Sequence, residues 1–119
     1  MGRKFLYALA GLSYALRTQP NMRFHLAAAL AVLVTAFILG VNRYELLFLL
    51  LAITLVLLAE MFNTALEAVV DLASPSFHPL ARAAKDVAAG AVLLAALYAV
   101  ATGVVIFYPY LRMALQTFR

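Results

Sequence analysis

The segment EMFNTALEAVVD, residues 60–71, carries three carboxylates and a carboxamide inside or at the end of a long apolar run that begins near Leu46. Read as a helix, Glu60, Asn63, Glu67 and Asp71 stand at i, i+3, i+7 and i+11. They fall within an arc of roughly 80° and make one polar stripe about 16 Å long. An ionisable group near a bilayer centre costs at least about 2.5–3.5 kcal/mol on insertion scales, and such groups face a bundle interior, a partner or a water-filled cavity. Hydrogen bonding between helices accounts for one such residue easily. Several acids in line repel each other unless cations or protons lie between them, so the stripe suits metal binding or proton transfer. Two carboxylates can divide that work, one as a general base and one as an ionised cation ligand nearer water.

The surrounding chain explains where such chemistry would take place. With 67% hydrophobic and 12% charged residues among 119, and a mean hydropathy of +1.01, the sequence is too apolar for a soluble domain and reads as an all-α integral membrane protein. The absence of cysteine removes disulfides, thiol nucleophiles and cysteine metal sites. The net charge is +4, but the basic residues are scattered without interleaved aromatics, which fits anionic lipid headgroups and not nucleic acid. Neither GxxxxGK[ST] nor GxGxxG occurs, so a nucleotide would be held by scattered polar side chains and a divalent cation.

A single membrane domain, residues 1–119, is expected. Residues 3–18 are apolar at Phe5, Leu6, Leu9, Leu12 and Leu16 and bracketed by Arg3, Lys4 and Arg17. They predict an amphipathic helix lying in the membrane surface, too short and interrupted to span and without the cleavage pattern of a secretory signal. Tyr7 and Tyr14 share a face there, and Ala8 with Gly11 would admit a close helix. Pro20 breaks the helix, and Asn21 is expected to cap the next. Residues 24–41 read as a first span, 40–43 as a tight turn, 45–70 as a second span, 71–84 as a loop with Pro75 and Pro79, and 85–108 as a third span. Ala88 to Ala91 give that last span a small-residue face, and Tyr108 and Tyr110 suit an interfacial belt.

Arg3, Lys4, Arg17, Arg23, Arg82 and Lys85 fall on one side of the predicted membrane, and Arg43, Arg112 and Arg119 on the other. The positive-inside bias then puts residues 3–18 and the 71–84 loop in the cytoplasm, with the acidic stripe running towards that surface of the cell membrane. A proton- or cation-handling module is the alternative from another class, because acids on one helix also suit a relay. Such a path needs polar groups through the whole depth. Between Leu46 and Ala59 there is only Thr54, and beyond Asp86 the third span has only Tyr98 and Thr102.

The pattern E-x-x-N-T-A-x-E-x-x-x-D (Glu60, Asn63, Thr64, Ala65, Glu67, Asp71), the loop SFHPLA and the run AKDVAAGAVL from Ala84 to Leu93 resemble the small prokaryotic diacylglycerol kinase family, especially its undecaprenol kinase branch. A-x-x-G-L at Ala8 to Leu12 and N-x-R-x-H at Asn21, Arg23 and His25 extend the resemblance over nearly the whole chain. It implies a homotrimer of three-span subunits, with active sites shared between protomers at the cytoplasmic interface. It also implies an ATP- and Mg2+-dependent lipid kinase whose acceptor is undecaprenol, with diacylglycerol as the alternative. By position, Glu60 matches the general base for the lipid hydroxyl, Glu67 a magnesium ligand, and Asn63 a member of the same polar site. Lys85 and Asp86 match a nucleotide-contacting pair, while Ser76, Phe77 and His78 fall where the family's loop meets nucleotide. Tyr7 matches an aromatic of the surface helix and, with Asp71, is counted among the nucleotide-binding residues, interfacial anchoring being its other reading. Gln19 departs from the pattern, standing where a glutamate commonly supplies a second metal ligand; weaker metal binding, or a site completed by Asp71, is expected.

Overall fold

A computed structural model describes residues 1–119. Four helices and no strands make up the chain: α1 (Gly2–Thr18), α2 (Pro20–Leu39), α3 (Arg43–Ala73) and α4 (Pro79–Thr117). The last three are long and apolar enough to cross a membrane, which together with the composition makes this a multi-pass membrane protein. Helices suit that solvent because each satisfies its own backbone donors and acceptors.

The breaks between helices are set by a few residues. Gln19 is extended at φ −114°, ψ 108° because the Pro20 ring disfavours helical backbone before it, and Pro20 then occupies the first turn of α2. Gln19, not Asn21, is therefore the N-cap, and α2 begins four residues before the expected position 24. Arg23 crosses the break, its Nη1 donating to the Leu16 and Arg17 carbonyls at 3.3 and 3.2 Å. Gly40 ends α2 in the left-handed region at φ 69°, open to glycine without a Cβ penalty. Asn42 starts α3 with a reciprocal capping box: Glu45 N–H donates to Asn42 Oδ1 at 2.9 Å, and Asn42 N–H to Glu45 Oε1 at 3.0 Å.

The expected loop at 71–84 contracts to Ser74–His78. Asp71 belongs to the last turn of α3, and Pro79 opens α4 instead of interrupting it, since proline at the first helical position gives up only a donor that has no partner there. His78 caps α4, its Nδ1 accepting from Leu80 N–H at 3.1 Å. At its far end α4 runs through Pro109 to Thr117, past the expected end near Tyr108. Proline in such a helix costs one backbone bond that neighbouring packing can offset.

Length then locates the polar stripe. The 31 residues of α3 extend about 46 Å, whereas about 20 residues cross a hydrocarbon layer about 30 Å thick. Twenty residues counted from Arg43 reach Phe62, so Glu60 and Asn63 lie near the end of a stretch long enough to cross that layer, and Glu67 and Asp71 lie further along the helix.

Packing is built on small side chains. Of the buried apolar residues, Ala15, Ala29, Ala36 and Ala52 are alanine, which lets α2 and α3 approach closely. Leu49 packs with Ala36 of α2 and Ile106 of α4. On α4, Ala88 and Gly90 are half-buried while Ala89 and Ala91 face outward. A Cβ added at Gly11 would meet nothing within 4 Å, so the close helix contact anticipated there is not made within this chain.

Candidate active site

Along α3 the buried positions Leu49, Ala52, Val56, Glu60 and Asn63 are spaced by three or four residues as one continuous stripe, with Thr64 beside Asn63 and one turn from Glu60. The acidic motif therefore continues the packing seam of the helix. Glu60 is 1% exposed, Asn63 8% and Thr64 6%. The Thr64 hydroxyl donates to the Glu60 carbonyl at 2.9 Å, one turn back in the helix. Glu67 is half-buried and Asp71 exposed, so the stripe passes from packed to open along its length.

Two helices meet at Glu60. His25 of α2 brings its Nε2 to 3.8 Å from Glu60 Oε2, and Phe24 stands edge-on to the imidazole with ring centroids 5.7 Å apart. His25 also lines an apolar groove of about 650 Å³ between α2, α3 and α4, beside Phe24, Val56 and Ala96. His25 thus connects the apolar groove to the buried carboxylate behind it. Sequence reading placed His25 within a motif but gave it no role. Only the crossing of α2 and α3 reveals the pair.

One turn further on, Asn63 Nδ2 donates to Glu67 Oε1 at 3.3 Å, while Asn63 Oδ1 is buried and has no hydrogen-bond partner. A buried amide oxygen without a partner costs about 1–3 kcal/mol, so this one is suited to a ligand. Together with Glu67 it gives an oxygen-only donor set, the kind hard divalent cations take.

A second cluster forms where α3 turns into α4. Asp71, Ser74, Ser76, Phe77, His78, Arg82 and Lys85 line a polar cleft of about 230 Å³. The Lys85 ammonium donates to Asp71 Oδ1 at 2.5 Å, and Ser74 Oγ donates to the Ser76 carbonyl at 2.8 Å. Arg82 Nε reaches the Asp86 carboxylate at 3.2 Å on the exposed face. Lys85 and Asp86 thus engage different partners, and Arg82 adds a cation to the cleft that sequence reading passed over. Asp71 is held by Lys85 instead of standing free beside Glu67. Its distance from Glu67 along the helix is about 6 Å, one turn, so the two clusters are contiguous.

Two anticipated residues make no hydrogen bond to either cluster and do not line the cleft. Tyr7 is 71% exposed on α1. Gln19 is half-buried between α1 and α2, where its Nε2 donates to the Thr18 hydroxyl at 3.5 Å and makes no hydrogen bond with Glu67.

Set beside known proteins, residues 6–107 match a family model described as prokaryotic diacylglycerol kinase. Over 106 residues the chain is 48% identical to a diacylglycerol kinase of Synechocystis, covering 88% of this chain and 61% of that protein; the match thus spans less than two thirds of that relative. It is 41% identical over 109 residues to an undecaprenol kinase of Bacillus subtilis, covering 92% of this chain and 89% of the relative. A diacylglycerol kinase of Escherichia coli K12 is 33% identical over 104 residues, covering 87% and 85% of the two chains.

Proposed function

The chain belongs to the prokaryotic diacylglycerol kinase family, and on that premise we propose that it is a membrane lipid kinase transferring the γ-phosphate of ATP to the hydroxyl of undecaprenol. The observation that carries this reading is the buried Glu60 carboxylate, 3.8 Å from His25, which itself lines an apolar groove. A long-chain alcohol presents this combination: an apolar body and one proton to remove. Glu60 is the general base. As the alcohol oxygen attacks the γ-phosphorus, its proton passes to the Glu60 carboxylate, and the bond from that phosphorus to the bridging oxygen breaks to release ADP.

Magnesium is the divalent cation this reading calls for, and the oxygens of Glu67 and Asn63 fit it, with Asn63 Oδ1 unpartnered and buried. Bound there, it would neutralise charge on the nucleotide phosphates. The chain's own cations act from the cleft: Lys85 and Arg82 bind phosphate oxygens, while Ser76 and His78 border the nucleotide on the connecting loop. Asp86 orients Arg82 through their ion pair. Asp71 holds Lys85 over the cleft.

The remaining features follow from the same reading. The site faces the cytoplasm, where Arg3, Lys4, Arg17, Arg23, Arg82 and Lys85 outnumber the cations of the opposite side. Helix α1 lies on the membrane surface, exposing Phe5, Leu6 and Leu9 to lipid, with Tyr7 as an anchor at the headgroups. Three copies form a homotrimer whose protomers complete one another's sites, and Gln19 reaches the cation of such a shared site. The large exposed apolar faces of α2, α3 and α4 supply area both for lipid and for this assembly.

Undecaprenol is preferred to diacylglycerol because the N-x-R-x-H and HPLA motifs suit that branch and because the relative bearing that name aligns over most of its own length. The more identical relative bears the other name, so both lipids belong in the assay. Purified protein is given ATP and each lipid with magnesium varied. Faster phosphorylation of undecaprenol is expected; faster turnover of diacylglycerol reverses the preference, and no phosphate on either lipid refutes the kinase reading.

A further inference from the structure

Apart from Tyr108, His25 is the only polar side chain on the wall of the apolar groove, and Glu60 stands behind it, off the groove wall, with its carboxylate 3.8 Å from the imidazole. The 3.8 Å between His25 Nε2 and Glu60 Oε2 is too long for a hydrogen bond between them. It is short enough for one oxygen to lie about 2.8 Å from both. Thr64, the nearest hydroxyl on the same helix, is directed to the Glu60 backbone and does not compete for the carboxylate. Phe24 makes an edge contact with the imidazole at 71° between the ring planes.

Resting on the lipid kinase reading above, we propose that His25 and Glu60 together grip the acceptor hydroxyl, Glu60 taking its proton while His25 Nε2–H donates to its oxygen. The division follows from the groups. A carboxylate accepts and cannot donate; an imidazole protonated on Nε2 donates there. Two bonds fix the oxygen's direction of approach to phosphorus, which one bond to a carboxylate leaves free to swing. His25 is thus a catalytic residue that orients the nucleophile, and a hydroxyl suits the pair, since it offers a proton to one partner and a lone pair to the other.

The test uses the full-length protein in lipid–detergent micelles, varying lipid at saturating ATP and then ATP at saturating lipid. His25→Phe keeps a ring and removes Nε2, whereas His25→Gln restores a donor. The phenylalanine variant is expected to lose about tenfold in kcat/KM for the lipid, as befits one hydrogen bond to a reacting atom, with the KM for ATP unchanged. The glutamine variant is expected to recover much of that loss. Helical circular dichroism in the same micelles checks folding, and His25→Leu takes the place of the ring variant under the same criteria should that one unfold. Unchanged lipid kcat/KM in the donor-less variant overturns the proposal, as do equal losses in both variants or a parallel rise in the KM for ATP. Wild-type protein that phosphorylates neither lipid refutes the kinase reading itself, an outcome separate from wild-type turnover that ignores His25.

Discussion

Lys85 of α4 and Asp71 of α3, fourteen residues apart in the chain, form an ion pair that closes the hairpin over the polar cleft. Lys85 is half-buried and Asp71 exposed, so the pair contributes little to stability on its own. Its consequence is positional: the ammonium is held on the cleft side of α4, away from lipid.

Replacing Lys85 by alanine should therefore raise the KM for ATP about tenfold or more, the scale of a charged hydrogen bond, while the KM for the lipid stays near its original value. Initial rates of lipid phosphorylation at varied ATP measure this. An unchanged KM for ATP would show that the cleft does not receive phosphate.

Glu60→Gln keeps the shape of the side chain and its place in the α3 packing seam but removes the proposed base. Lipid phosphorylation should fall by roughly 10²–10⁴-fold, the range for loss of general-base catalysis, without loss of helical signal. A single-turnover assay with radiolabelled ATP distinguishes this chemical defect from slow product release.

Asn63→Ala removes both the donor that orients the Glu67 carboxylate and the buried, unpartnered oxygen beside it. The magnesium concentration at half-maximal activity should rise roughly 10–100-fold, as it does when groups orienting metal ligands are lost. Titration with magnesium at constant free ATP reads the change.

Gln19→Glu restores a negative charge where a neutral amide stands at the α1–α2 break. If this position reaches the cation of a neighbouring protomer's site, the half-saturating magnesium concentration should drop, since hard cations favour charged oxygen ligands. No change in that titration would take Gln19 out of the metal site.

Gly40→Ala probes the fold alone. At φ 69° a Cβ costs about 1–2 kcal/mol, although space around the residue is open. Thermal unfolding in detergent should occur at lower temperature, with the KM for both substrates unaltered.

The three long helices were legible because lipid leaves few alternatives: runs such as Phe24 to Leu39 and Leu46 to Ala59 must satisfy their backbones internally. The Gly40–Asn42 turn was legible for a local reason, glycine supplying a left-handed residue and asparagine a cap. Proline was ambiguous. Pro20 and Pro79 each open a helix, Pro109 lies inside one and Pro75 lies between two, so residue type alone does not bound the connection, which is Ser74–His78 and not 71–84.

What the amino-acid sequence determined alone is the polar stripe itself, since helical periodicity puts Glu60, Asn63, Glu67 and Asp71 on one face whatever lies around them. The tertiary structure decided which of those groups are enclosed and what they meet: His25 beside Glu60, Lys85 on Asp71, and Tyr110 donating to Glu45 at the other end of α3. Those partners come from other helices, at sequence separations of 35, 14 and 65 residues. No periodicity within one segment encodes them, because they depend on how closely alanine-lined helices approach and at what rotation they settle.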